Sequence, residues 1–356
     1  MKGTFFIFNS RKIDKQFSSW GGFGYTLKDC YTGSNLEEWN RFVSKYNDIP
    51  SFGFISYELL YTFNEYREIK KKNSDIPHLR FPLIWWGIFD NCKLIRLSSG
   101  SKINFDSNRS FKLLSSLTSN ISRGDYINKV KTIKQHIEKG DVYQVNLSLR
   151  IDGSYQGNPL SLYKYMDEKF YLPYSIFFST DKFSFLILSP ELFLLKKGDT
   201  LYTRPIKGTL KREGISLKMA RDYFKRSVKE KRELDMIVDV ERNDFSRICY
   251  LRSVKVMNRK IEVFPNVYHT VATVKGVLRE ETSLRDIIEN TFPSSSVTGA
   301  PKSSAIKIIN QLEPHYRYIY TGGAGFCYKD IFLLAMGIRC ILFDDNNLHI
   351  YTGSGI

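Results

Sequence analysis

Between Gln144 and Ile151 the chain alternates polar and apolar residues without a break. Side chains of a strand point alternately to opposite faces. Val145, Leu147, Leu149 and Ile151 therefore share one face, and Gln144, Asn146, Ser148 and Arg150 the other. A helix is expected directly before this strand. Asp125 opens it, Ile127, Val130, Ile133 and Ile137 form an apolar stripe at helical spacing, and Gly140 stops it. The polar face of the strand leaves two readings open, a solvated sheet surface and the wall of a site.

Elsewhere the two periods mix without a regular βαβ rhythm, which favours an α+β fold over a doubly wound sheet. Residues 1–115 read as strands and turns, with aromatic alternation in Phe52-Gly53-Phe54-Ile55-Ser56-Tyr57. The charged stretch Tyr66 to Asp75 reads as an exposed excursion ahead of the apolar run Phe81 to Phe89, and the Ser/Asn-rich residues 100–122 as a linker. Two parts are expected, a strand-rich 1–115 and a catalytic 123–356. In the second, strands fill Tyr174 to Thr209 and a long helix covers 216–240 with Met236, Ile237 and Val240 inside. Another helix begins at Pro301, suited to a first helical turn, and ends before Pro314. The tail folds into a hairpin around Asp344-Asp345-Asn346-Asn347.

The formal charge of +16 invites a nucleic-acid reading. Lys and Arg are spread along the whole chain, however, and the densest runs, Lys70-Lys71-Lys72 and Lys229 to Arg232, are short and flanked or broken by acids. No nucleic-acid-binding motif accompanies them, so no nucleic-acid partner is expected. Cys30, Cys92, Cys249, Cys327 and Cys340 show no metal-ligand spacing and read as reduced core thiols of a cytoplasmic protein. The apolar run at the N-terminus is too short for a signal peptide. No run of 18 apolar residues exists, so no membrane span is expected.

Five segments carry unusual combinations. Ser189-Pro190-Glu191 is followed by Lys207 in Thr203-Arg204-Pro205-Ile206-Lys207-Gly208-Thr209. A lysine in such a rigid, partly apolar setting can have a depressed pKa and act as a nucleophile. Glu233, in a helix running into Arg242-Asn243-Asp244, suits Mg²⁺, which takes one or two carboxylates with waters and substrate oxygens; an ion pair is the plain alternative. Ser294-Ser295-Ser296-Val297-Thr298-Gly299-Ala300-Pro301-Lys302 leads small residues into a helix start, where free N–H groups and the dipole favour a carboxylate. Tyr320-Thr321-Gly322-Gly323-Ala324-Gly325 and Thr352-Gly353-Ser354-Gly355 place glycines where a backbone can approach a ligand. Arg339, on a mostly apolar strand, calls for an anionic partner.

Taken together, from about Asp125 to Ile356, these motifs resemble the chorismate-utilising enzymes: anthranilate synthase component I, aminodeoxychorismate synthase component I, and the isochorismate and salicylate synthases. The resemblance implies two large, mostly antiparallel β-sheets in a sandwich with helices packed outside. It also implies an Mg²⁺-dependent enzyme. Gln144 stands where isochorismate-forming members carry a water-activating lysine, so ammonia is the implied nucleophile. Pro205-Ile206-Lys207-Gly208-Thr209 resembles the aminodeoxychorismate form, where anthranilate synthases usually have alanine at the lysine position.

By resemblance, Lys207 attacks C2 of chorismate, Glu191 is the general acid, and His269 is the active-site histidine. Glu233 holds Mg²⁺. Thr298, Gly299, Ala300, Lys302, Tyr320, Gly322, Arg339, Gly353 and Gly355 surround the substrate carboxylates. A separate glutamine amidotransferase subunit is expected to supply ammonia for folate-branch synthesis. The chain departs from the family pattern at Ala272, often serine, and at Ser354, usually glycine. Family members also continue past the terminal turn into a helix with further metal-ligating glutamates, so an incomplete C-terminal end is expected. Anthranilate synthesis and a non-catalytic chorismate-binding role remain the alternatives.

Overall fold

The computed structural model describes residues 3–11, 19–69, 76, 79–97 and 110–356. Its first strands are β1 (Phe5–Ser10), β2 (Ser19–Gly33), β3 (Ser51–Ile55) and β4 (Ile84–Leu97), with helix α1 (Leu36–Lys45) between β2 and β3. Two short strands, β5 (Phe111–Leu113) and β6 (Thr118–Ser119), precede α2 (Arg123–Glu138), β7 (Gln144–Gly157) and α3 (Pro159–Phe170). A run of strands follows: β8 (Tyr174–Ser179), β9 (Phe183–Ser189), β10 (Leu192–Lys197), β11 (Thr200–Arg204) and β12 (Ile206–Lys211). Helices α4 (Leu217–Arg226) and α5 (Val228–Ser246) lead to β13 (Lys255–Val263), β14 (Val267–Val277) and α6 (Leu284–Thr291). The chain closes with β15 (Gly299–Ala300), α7 (Lys302–Leu312), β16 (Gly323–Tyr328), β17 (Ile331–Met336), β18 (Cys340–Asp344) and β19 (Asn347–Gly355).

Every strand pairing is antiparallel, and the pairings form two halves. One runs β7–β19–β18–β9–β8–β1–β2. The other runs β4–β3–β16–β17–β10–β11–β14, with β12 and β13 also on β14. The long strands β2 and β4 pair with each other and join the halves, with a register shift between Leu27 and Asp29. Such bulges bend a strand and increase its twist.

The high aromatic content is used where the halves face each other. Phe54 of β3 meets Phe178 of β8 and Phe185 of β9 edge-on, with centroids 5.2 and 5.1 Å apart, and Phe8 of β1 meets Phe326 of β16 at 5.2 Å. Burying each such ring contributes roughly 1.5–3 kcal/mol, so these rows hold the sandwich shut. The outer faces are covered by helices. Residues of α1, α5, α6 and α7 pack against β10, β14 and β17, and α3 packs against β8, β9 and β18. The α+β sandwich with helices outside is the fold the motifs implied.

Several local expectations change. The single helix expected over 216–240 is two helices broken at Ser227, whose hydroxyl oxygen accepts the Glu230 N–H and caps α5. Met236 and Val240 are only half-buried on α5, where Leu234, Ile237 and Val238 form the buried side. Ser122, not Asp125, caps α2, with Asp125 donating its N–H to the serine, and Ile127 of the expected stripe is exposed. Pro301 precedes α7 as its extended cap rather than forming its first turn. Of the expected linker, residues 100–109 lie outside the described residues, and β5 and β6 within its remainder pair with β7. Residues 70–75 of the charged excursion, including Lys70-Lys71-Lys72, also lie outside the description. Cys249, Cys327 and Cys340 are buried, but Cys30 is exposed, so the core-thiol reading fails there. Among the described residues no helix is long and apolar enough to cross a membrane.

Candidate active site

Lys207 reaches its place through a bulge in β12. It pairs with Thr270, and after a register shift Thr209 pairs with His269. Gly208, at φ +75, occupies the bulge, where an added Cβ would lie 2.9 Å from both Glu230 Oε2 and Thr270 Oγ1. Only glycine fits that backbone without strain. The largely buried Lys207 ammonium donates to the Ser296 carbonyl at 3.0 Å. Burial lowers its pKa, while Glu191, Glu233 and Glu230 pull it back up.

Glu191 follows the Ser189-Pro190 turn between β9 and β10, where its N–H donates to Ser189 Oγ at 3.2 Å. Its carboxyl is buried, 5 % exposed, and accepts the Ser296 hydroxyl. Burial pushes its pKa up to about 7, against the Ser296 bond and the Lys207 charge. A carboxyl poised near neutrality can be protonated and still give up its proton, which is what general-acid catalysis requires.

Two acids on α5 face Lys207. Glu233 lies 3.7 Å from Lys229 and is also felt by Lys207. Glu230, absent from the sequence expectations, shares this face one helical turn earlier. Partial burial and the Glu233 charge raise its pKa. The i, i+3 spacing of Glu230 and Glu233 was the available signal. It lay hidden in a lysine-rich run.

His269 is buried, and burial lowers its pKa to about 4, so the ring is neutral at pH 7. Its Nδ1 lies 3.0 Å from Thr209 Oγ1, and the Arg339 guanidinium approaches Nε2 at 3.3 Å. Arg339 sits in the bend before β18 at φ +52, exposed, rather than within a strand. Its nearest bonding partner is thus this imidazole, although Glu191 also attracts it.

A second group gathers where β7, β15 and β19 meet. The polar face of β7 is buried at Gln144, Ser148 and Arg150, so the solvated-surface reading does not hold there. Ala300 pairs with Gln144 and Gly299 with Val145. Gly355 and Gly353, at the exposed end of β19, pair with Asn146 and Ser148. A Cβ on Gly355 would lie 2.1 Å from Gln144 Nε2, and one on Gly353 2.5 Å from the Tyr320 hydroxyl. Gln144 Oε1 has no hydrogen-bond partner. Thr298 is fully buried and donates its hydroxyl to the Ser294 carbonyl at 2.9 Å. Gly322 is packed against the Ile55 carbonyl, 2.3 Å from where its Cβ would be. The segment 294–300 joins both groups, since Ser296 serves Lys207 and Glu191 while Asn146 donates to the Val297 carbonyl at 2.9 Å.

Lys302 is engaged elsewhere. Its ammonium donates to Asp244 Oδ2 at 2.6 Å and to the Thr291 carbonyl at 3.2 Å. Both charged residues line a cavity of about 390 Å³ with Asp239, Asn243 and Arg247. Arg317, another residue the sequence did not reveal, lies fully buried beneath the segment. It binds Glu313 with two N–H groups and the Val297 and Asn146 carbonyls with others.

An all-antiparallel sandwich with a lysine–glutamate pair at one end and a glycine-lined strand junction beside it defines the class, and the comparisons agree. Residues 9–356 match the chorismate binding enzyme family model, and the chain belongs to that family. It is 32 % identical to aminodeoxychorismate synthase component 1 of Escherichia coli over 298 residues, 78 % of this chain and 66 % of that protein. It is 38 % identical to the Bacillus subtilis protein of the same name, over 64 % of this chain and 49 % of that one. Anthranilate synthase component 1 of Aquifex aeolicus is 35 % identical over 67 % of this chain and 49 % of its own. The chain thus spans about half to two thirds of the length of these relatives. The crystal structure of anthranilate synthase component I from Streptococcus pneumoniae shares the fold, with TM-score 0.79 at 22 % identity over 95 % of this chain and 87 % of that one.

Proposed function

We propose that this chain aminates chorismate to 4-amino-4-deoxychorismate, as component I of a folate-branch synthase. The observation that carries the reading is the meeting of Lys207 and Glu191 on Ser296. One is an amine with its pKa lowered by burial, the other an acid with its pKa raised to about 7. Relatives named aminodeoxychorismate synthase component 1 add support. In its neutral form, which burial favours, Lys207 Nζ bonds to C2 of the ring as the ring double bonds shift. The C4–oxygen bond breaks, and the Glu191 proton goes to the departing hydroxyl, which leaves as water. Ammonia then bonds to C4 and the Lys207–C2 bond breaks, returning the amine. Neutral His269 and Arg339 offer hydrogen bonds beside this centre, and Gln144 offers no base to activate water.

Mg²⁺ suits the site's donor set. Glu230 and Glu233 are like charges one helical turn apart, and a cation would relieve the repulsion that adds to burial in raising Glu230. Among the described residues no group of three or more metal-ligating side chains exists. Waters and substrate oxygens would complete the shell, as Mg²⁺ prefers. The ion would supply charge neutralisation at a substrate carboxylate. The Gly353–Gly355 backbone, Tyr320, Gly299 and Ala300 would bind the carboxylates. Ammonia would come from a glutamine amidotransferase, a reading supported by relatives named component 1. A cytoplasmic location fits the five free thiols.

The test is a product assay with purified chain, chorismate, Mg²⁺ and ammonium, read by mass spectrometry. 4-Amino-4-deoxychorismate supports the reading. Anthranilate would move the chain to the other amination reaction, and no consumption of chorismate would leave a binding role.

A further inference from the structure

Behind Glu191 runs a line of hydroxyls that the proposed reaction does not use directly. Ser296 donates to Glu191 Oε1, Ser294 donates to Glu241 Oε1 at 2.7 Å, and the two hydroxyl oxygens lie 3.0 Å apart. All four side chains are buried, Glu241 at 0 % exposure. Glu241 Oε2 makes no hydrogen bond. Burying a carboxylate is costly, and here that cost outweighs the help of Lys302, Ser294 and Thr203, so Glu241 is better held as the neutral acid. One turn along α5, Asp244 and its partner Lys302 line the 390 Å³ cavity. Glu241 does not itself line that cavity, and Asp244, whose charge acts on Glu241, stands between them.

Building on the proposed amination, we infer that Glu241 is a proton reservoir that recharges Glu191 through Ser294 and Ser296. When Glu191 has given its proton to the departing hydroxyl, its carboxylate accepts the Ser296 proton. With the Glu241 proton on Oε1 and the Ser294 hydroxyl turned from Glu241 towards Ser296, Ser296 takes the Ser294 proton, and Ser294 takes that of Glu241. One O–H bond breaks and one forms at each serine, so the net change is a single proton moved from Glu241 to Glu191. Glu241 then regains a proton from the cavity side. The charged groups around both ends fit a shared proton. Lys207 and Arg339 favour ionised Glu191, and Glu241 opposes it. Lys302 favours ionised Glu241, and Asp244 opposes it. Burial places both acids at about 7, where two interacting carboxyls titrate as a coupled pair. Glu241 acts through Glu191 and is a positioning residue for its proton.

The experiment uses the full chain with Glu241→Gln, Ser294→Ala and Ser294→Thr. An infrared titration of the protonated-carboxyl band, without substrate, reads the coupling. Beside the step of buried Glu58, also pushed up to about 7, the wild type should show two linked steps near neutrality. Glu241→Gln should leave one of the linked pair beside the Glu58 step, with the Glu191 midpoint lowered because the like charge is gone. Amination by Glu241→Gln and Ser294→Ala should fall about tenfold or more, part of the ~10²–10⁴ that a general acid contributes. The loss should be steepest on the alkaline side. Ser294→Thr keeps the hydroxyl and should restore rate and pH profile, which separates the relay from a packing role. An unmoved Glu191 midpoint in Glu241→Gln, or wild-type rates and pH profiles in both disabling variants, overturns the relay. Absence of product from the wild type would sink the amination instead, and the substrate-free titration would still decide the coupling.

Discussion

Lys207 and Glu191 hold the same residue from two sides: the lysine ammonium binds the Ser296 carbonyl at 3.0 Å, and the Ser296 hydroxyl binds the glutamate. The two functional groups are thereby fixed relative to each other through one loop residue. The attraction of Lys207 also holds the Glu191 pKa below what burial alone would give.

Replacing Lys207 with Ala should therefore have two effects. Formation of the aminated product should drop by at least about 10²-fold if the amine is the nucleophile, and Glu191 should titrate at higher pH than in the wild type. Steady-state product assays and the infrared band of Glu191 check these separately. An undiminished rate would remove Lys207 from covalent chemistry, whatever happens to Glu191.

The raised Glu191 also predicts how stability depends on pH. Its carboxyl titrates near 4.5 when unfolded and at about 7 when folded, so the folded state binds the extra proton between those values. Its stabilising contribution is fully present below about pH 4.5 and is lost as pH rises through about 7. The loss is about 3 kcal/mol as an order of magnitude. His269 slopes the opposite way, because its folded pKa of about 4 costs stability as pH falls below its unfolded value. That contribution is common to wild type and Glu191→Gln and cancels in their difference. The variant should match the wild type at about pH 5 and exceed it in thermal midpoint at about pH 8. Equal midpoints at both would mean that Glu191 is not strained by burial.

Glu230 and Glu233 give the cation prediction. Calorimetric titration of Mg²⁺ with chorismate present should lose affinity by about tenfold or more in Glu233→Gln, and by less in Glu230→Gln, in line with losses when a carboxylate ligand is neutralised. Chelation should stop turnover reversibly. Unchanged Mg²⁺ affinity in both variants would place the ion elsewhere.

Legibility in the sequence followed the range of the interaction. The strand at Gln144–Ile151 could be read because its two-residue period is local, and α7 because Pro301 and the apolar spacing to Leu312 are local too. Lys207, Glu191 and Glu233 stood out through their unusual neighbours and through the family resemblance, and the structure brings their charges within reach of one another. The break at Ser227 was missed because a serine inside a helical pattern looks like an ordinary surface residue, and only its capping bond to Glu230 reveals the stop. Ser294 and Glu241, 53 residues apart, meet only once α5 packs behind the segment 294–300. No period or motif announces such a pair.

Arg317 shows the same point in its strongest form and gives the last prediction. Its guanidinium is buried, 1 % exposed, and bonds both oxygens of Glu313, 2.7 and 2.9 Å away. It also binds the Val297 carbonyl at 3.0 Å and the Asn146 carbonyl at 2.7 Å. It thus ties the segment before Thr298 to the strand that carries Gln144. Arg317→Ala would leave buried Glu313 without its guanidinium, held by Ser148 and beside His315, and breaking a buried pair from one side costs about 3–5 kcal/mol. Arg317→Lys keeps the charge but lacks the planar fork needed to reach all these acceptors, and Thr321 Oγ1 as well, at once. Denaturant unfolding should show the large loss for Ala and a smaller one for Lys. The Lys variant, still folded, should bind chorismate more weakly because the segment 294–300 is no longer fixed on both sides. A Lys variant with native affinity would show that Arg317 supports the fold alone and leaves the site's geometry to Ser296 and Asn146.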